Sequence, residues 1–159
     1  MTGFARVGPV LERHFDGQER ALLRRLCEEL AELMESAGDP AEVVPGDRVV
    51  ARLLPDPYPD DAAASTEFQG FVRSRLAEDK AGTVRALAHD LSSGDADVGV
   101  LVRLDEQRIE VWLRGLTDLR LALFERAEEE WDRSQRRSLE QLLDWLGWLL
   151  SDLLDQLDG

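Results

Sequence analysis

Apolar residues recur along this chain at helical spacing in several long stretches and form extended runs in only two short ones. Leu22, Leu23, Leu26, Leu30, Leu33 and Met34 follow at three- and four-residue intervals, the spacing that lines one face of a helix. Asp16 and Glu19 precede them at capping-box spacing, and Gly38, Asp39 and Pro40 follow, so a first helix is expected from about Gly17 to Ser36. The residues from Phe4 to Phe15 are too few and too broken by Gly8 and Pro9 for a helix, and Val10, Leu11 and Phe15 indicate an extended segment. Residues 43–54 leave room for one short element before Pro55, Pro57 and Pro59 exclude regular helix and form the main loop, 55–59.

Acids at Asp60 and Asp61 mark the start of a second helix, with Phe68, Phe71, Val72 and Leu76 on one side. A third is expected around Val84, Leu87, Ala88 and Leu91, closed by Ser92, Ser93, Gly94 and Asp95. Val98 to Leu104 is the second extended run, and Asp105 introduces a fourth helix to about Arg126. The order of strand, aspartate and helix thus occurs twice, at Phe15-Asp16 and Leu104-Asp105. Gln18 with Gln107 and Leu23-Arg24 with Leu113-Arg114 echo it with a one-residue slip, a weak internal repeat. The segments near 5–15 and 98–104 are of a kind to pair as a small two-stranded sheet. The expected fold is mainly α: one domain over 1–159, a bundle of about five helices.

The last helix, from about Arg133 to Leu157, is the most informative element. At about 100° per residue, Leu139, Leu142, Leu143, Leu146, Leu149, Leu150, Leu153, Leu154 and Leu157 form one broad face, expected to be core. Glu140, Gln141, Asp144, Ser151, Asp152 and Asp155 lie opposite. Trp148 projects from the middle of that polar stripe with Trp145 at its edge. A large aromatic among solvated acids is the composition of a protein contact, so Trp145, Trp148 and Asp144 are the candidate partner-binding residues. The bland reading is intramolecular cover of Trp148 by the proline loop or the N-terminal segment.

Composition narrows the function classes. A content of 43% hydrophobic and 33% charged residues suits a folded globule. The net charge of −14 repels nucleic acid and anionic lipid at long range, which makes direct nucleic-acid binding a poor expectation. No apolar run is long enough to span a bilayer and no leader pattern opens the chain, so the expected compartment is the cytoplasm. Lys80 is the only lysine, a bias typical of GC-rich bacterial genomes.

The catalytic inventory is poor. His14 and His89 are the only histidines and show no zinc-set spacing; phosphate-loop and dinucleotide glycine patterns are absent. No cofactor, metal or small-molecule substrate is expected. Cys27 is the single cysteine, so any redox role would need an intermolecular bridge or a sulfenic acid; an inert, half-buried thiol is the simpler expectation. Arg120 projects from the apolar face of the fourth helix, which includes Trp112, Leu116 and Leu119. If buried it requires an acid from Asp56, Asp60, Asp61, Glu67 or Asp144, and Arg120, Asp118 and Asp56 are the residues proposed for a buried charge network.

The stretches Leu53-Leu54-Pro55-Asp56-Pro57-Tyr58-Pro59-Asp60-Asp61, Glu67-Phe68, Trp112-Leu113, Leu116 to Leu123 (LTDLRLAL) and Asp144 to Leu149 (DWLGWL) resemble, in order and spacing, an actinobacterial domain-of-unknown-function family whose members include the oxidative-stress transcriptional regulator AosR. The resemblance covers most of the chain. It implies a small cytoplasmic helical protein, often encoded near the Clp adaptor ClpS, and regulation through contact with sigma factor or RNA polymerase; it does not imply an enzyme. Redox-responsive members would use two cysteines, so disulfide sensing does not carry over to a chain with Cys27 alone. The expectation is a non-enzymatic regulator of transcription in stress response acting by protein contact, with homo-oligomerisation open. An adaptor or accessory factor linked to Clp proteolysis is the alternative.

Overall fold

The computed structural model describes residues 2–38, 47–55, 69–92 and 98–158. Its elements are β1 (Ala5–Val7), β2 (Val10–Phe15), α1 (Gly17–Gly38), α2 (Arg48–Leu53), α3 (Ser74–Asp90), β3 (Val100–Leu104), α4 (Glu106–Arg126) and α5 (Arg133–Asp158), with a π turn at Gln69–Arg73 leading into α3. The chain is mainly α, as its periodicity predicts.

The sheet has three antiparallel strands in the order β1-β2-β3, one more than expected. Gly8 takes φ +61°, so Gly8-Pro9 closes a two-residue hairpin that splits the first extended segment in two. β1 pairs with β2 from Ala5↔Glu12 to Val7↔Val10. β2 pairs with β3 from Leu11↔Leu104 to Phe15↔Val100, which joins the two extended runs of the sequence. Leu11, Phe15, Val100, Val102 and Leu104 are buried on the inner face, and alternate residues His14, Leu101 and Arg103 face outward. A Cβ on Gly99 would run into the Phe15 carbonyl and the His14 ring, so the entry to β3 demands a residue without a side chain.

β2 and β3 each hand over to a helix through an aspartate. Asp16 Oδ1 accepts from the Glu19 amide at 2.8 Å, and Glu19 Oε1 accepts from the Asp16 amide at 3.1 Å, a complete capping box on α1. Asp105 Oδ1 accepts from the Arg108 amide at 2.8 Å on α4. The repeated order in the sequence is therefore two capped helices leaving neighbouring strands of one sheet.

The expected second and third helices differ from what is observed. Residues 56–68, which hold the proposed helix start at Asp60-Asp61, Phe68 and the proline loop beyond Pro55, lie outside the described residues. From the π turn the chain runs into a single helix, α3. Its buried stripe Ala77, Ala81, Val84, Leu87 and Ala88 continues without a break. Exposed Gly82 costs only helix propensity, about 1 kcal/mol. The small side chains let α1 and α3 approach closely: a Cβ on Gly38 would lie 3.0 Å from that of Ala77.

The core centres on Phe4, Phe15 and Trp112, with ring centroids 5.7–6.3 Å apart. Trp112 is wholly buried, and its indole N–H donates to Asp90 Oδ2 at 2.9 Å while Arg108 holds Oδ1 at 2.7 Å. Two arginines are also buried. Arg13 donates to the Thr2 carbonyl and to Glu19, and lies 4.3 Å over the Phe15 ring. Arg20 donates to the carbonyls of Leu91 (2.5 Å) and Ser92 (3.3 Å), just past the end of α3, where a cation also meets the negative end of the helix dipole.

The leucine face of α5 is only partly core. Leu146, Leu149 and Leu153 are wholly buried, and Leu142 and Leu150 pack against the core partly covered. Leu154 and Leu157 are each 47% exposed. The helix is longer, and its apolar arc wider, than the surface the other elements offer to cover it.

Candidate functional site

The sequence singled out Trp145, Trp148 and Asp144, and the structure separates them. Asp144 is exposed. Trp148 is half-buried and packs against the core. The N-terminal segment docks one turn beyond it: the Phe4 amide donates to Asp152 Oδ2 at 2.7 Å, and Arg6 donates to the Gln156 carbonyl at 3.2 Å. Gly3 makes this approach possible, since a Cβ there would lie 2.6 Å from Asp152 Oδ1. Trp148 is thus a partly covered packing residue.

Trp145 is different. It lines a groove of about 390 Å³ between α1 and the first half of α5, together with Leu22, Arg25, Ser138, Leu139, Gln141 and Leu142. Leu139 and Leu142 were expected in the core and Leu22 lies on the periodic face of α1; here they form an apolar floor that the described residues leave open. Arg25 stands at the rim with its side chain 69% exposed, 3.9 Å from Glu29. One indole, three leucines and a solvated guanidinium give this groove an apolar anchor site with a basic edge. The residues around Trp145 were missed because the wheel of a single helix cannot show where two apolar arcs fail to meet.

Two other grooves are larger or similar in size but differently made. One of about 570 Å³ between α1 and α3 is floored by Gly38, Ala77, Ala81 and Gly82, and the Arg85–Glu35 ion pair at 2.8 Å ties its two helices together. It is the by-product of close helix packing and carries no aromatic anchor. The other, about 410 Å³ between α3 and α4, contains Lys80 and Asp118.

Asp118, proposed for a buried charge network, is 8% exposed and accepts from Lys80 Nζ at 3.0 and 3.2 Å. Its partner is the lone lysine, and Arg120 takes no part; Asp56 lies outside the described residues. Arg120 is exposed, not buried. The angular position at the margin of the α4 apolar face leads its guanidinium over Gly147 of α5, where a Cβ would lie 3.3 Å from Nε. The missing side chain at Gly147 makes room for it.

Cys27 is wholly buried, deeper than the half-buried position expected. Burial first, then the neighbouring Glu28 carboxylate, pushes its thiol up to about 12. A thiol held neutral and out of contact with water is a poor nucleophile and a poor redox sensor. Among the described residues no group of three or more His, Cys, Asp or Glu is placed to hold a metal ion, and no helix is long and apolar enough to cross a membrane.

No curated protein and no solved structure matches the chain. A family model does, over residues 1–157, nearly the whole length on which the α1/α5 groove, the capped helices and the three-stranded sheet are built. The chain belongs to DUF2017, a family defined as a domain of unknown function.

Proposed function

We propose that this chain is a non-enzymatic regulatory protein that works by seating a segment of a protein partner in the groove between α1 and α5. The observation that carries the reading is Trp145 beside Leu22, Leu139 and Leu142 in a groove of about 390 Å³. A partly covered indole over an apolar floor is the kind of anchor that dominates protein contacts. Arg25 at the rim favours a partner segment that combines an apolar side chain with an acid. The whole-molecule charge of −14 argues against direct engagement of nucleic acid. The partner suggested by the resemblance to AosR is the transcription machinery, sigma factor or RNA polymerase, in a stress response in the cytoplasm. No redox switch is included, because Cys27 is alone and buried.

Affinity capture with the wild-type chain and with Trp145→Ala, followed by mass spectrometry, tests the reading. Polymerase or sigma subunits held by the wild type and lost with Trp145→Ala are the expected result. Clp subunits in their place would move the assignment to an adaptor of proteolysis, and capture indifferent to Trp145 would remove the groove from the function.

A further inference from the structure

The charges of α5 run against its own dipole. Arg133, Arg136 and Arg137 occupy the first turns and Asp155 and Asp158 the last, all exposed. No acid lies in the first turn and no base in the last, although helices are stabilised by the opposite arrangement. Among the described residues none of these five side chains has an ion-pair partner, and neither do Arg120 and Asp144. At 3.6 residues per turn they share one solvent-facing stripe of α5, which also carries Gly147, with Arg120 reaching over it from α4.

We infer that this stripe is the contact surface for a second copy of the chain, the two α5 helices lying antiparallel about a two-fold axis near Gly147. A two-fold contact must be self-complementary, and the stripe is: reversing the helix sets basic ends against acidic ends. In the register that places Asp144 opposite Gly147 of the second copy, Arg133 faces Asp158 and the Arg136-Arg137 pair faces Asp155. Glu140 then faces Ser151, and the two Asp144 carboxylates, about one turn apart across the axis, are each met by an Arg120. The Arg120 guanidinium lies over Gly147, so the same register brings Asp144 of the second copy to it. Seven charges without ion-pair partners among the described residues thus find opposite charges in a single step, and the antiparallel dipoles oppose each other. Repulsion between two molecules of −14 each disfavours contacts that lack this matching. The α1/α5 groove lies on another side of α5, so pairing leaves Trp145 accessible, and the inference stands independently of the function proposed for that groove.

Reciprocal charge exchange tests it. One variant carries Arg133→Asp with Arg137→Asp, the other Asp155→Arg with Asp158→Arg. Each places like charges opposite each other in its own pairing but suits the helix dipole better, so at dilutions where the wild type is monomeric neither variant melts below it. Sedimentation equilibrium at near-physiological salt is expected to show a wild-type dimer, each variant shifted to monomer, and an equimolar mixture restored to dimer. Arg120→Met is expected to weaken the wild-type dimer without lowering the melting temperature of the dilute monomer. A monomeric wild type, variants that dimerise as well alone, or a mixture that stays monomeric would each overturn the inference.

Discussion

Lys80 Nζ lies 3.0 and 3.2 Å from the two carboxylate oxygens of Asp118, bridging α3 and α4 where only 8% of the aspartate is exposed. The lysine side chain is 22% exposed, so its charge is solvated at one side while the acid depends on it. Removing the lysine strands a nearly buried carboxylate. Lys80→Met, which keeps the aliphatic stem, is expected to cost about 2–4 kcal/mol, read as a lower urea midpoint at unchanged slope. Adding Asp118→Leu to Lys80→Met should recover most of that loss, since the stranded charge disappears. A single-variant loss below about 0.5 kcal/mol would make the pair equivalent to an exposed one.

Cys27 gives the protein an alkaline limit. Its thiol is raised from 9.0 to about 12 by burial and by Glu28. Below about pH 9 the group is protonated in both folded and unfolded chains and favours neither. Between about 9 and 12 the unfolded chain loses this proton and the folded chain keeps it, so stability falls as pH rises. The loss approaches about 4 kcal/mol at most by the folded value, three units at about 1.4 kcal/mol each. Cys27→Ala should flatten this part of the curve, although it lowers the whole curve by the cost of the cavity. Urea melts of both proteins from pH 8 upward measure the difference. Equal slopes would show that Cys27 does not set the limit.

The sequence carried the fold where periodicity was long and its interruptions were chemical. The capping aspartates Asp16 and Asp105 and the extent of α4 and α5 follow from residues that act locally, and the pairing of the two extended segments follows from the scarcity of other extended runs. What escaped depends on distant contacts. Arg13 and Arg20 carry no pattern that singles them out in the sequence, yet each is buried against carbonyls of another segment. Lys80 and Asp118, 38 residues apart, show nothing in one dimension that pairs them. The wheel of α5 correctly placed Leu146, Leu149 and Leu153 inside, but could not tell that Leu154 and Leu157 run past what covers them. The Trp145 groove was half legible: the indole stood out, and the α1 residues that complete its floor did not.

Two glycines should respond in opposite directions to the same substitution. Gly99→Ala drives a Cβ into the Phe15 carbonyl and the His14 ring, groups held by the β2–β3 ladder, so the strands must part. The expected loss is about 2 kcal/mol or more. Gly82→Ala meets nothing within 4 Å on an exposed turn of α3 and should gain about 0.5–1 kcal/mol from helix propensity and lower unfolded-state entropy. Thermal melts of the two variants beside the wild type decide it. A neutral Gly99→Ala would mean that β3 enters the sheet by another path.

Trp145 and Trp148, three residues apart on α5, should separate binding from folding. Trp148 is packed against the core one turn before the Asp152 carboxylate that receives the Phe4 amide. Its truncation opens space against the core and is expected to cost about 2–3 kcal/mol, at the lower end of what aromatic truncation costs in a full core. Trp145 has part of its surface in the open groove with Leu22, Leu139 and Leu142, so Trp145→Ala removes less buried area and should cost about 1 kcal/mol. For partner capture the order reverses: Trp145→Ala abolishes it at temperatures where the variant is fully folded, and Trp148→Ala retains it while the fold persists. Melting curves and capture on the same preparations provide both readings. If Trp145→Ala proves the more destabilising of the two, the groove is a defect of packing and the α1/α5 surface loses its functional assignment.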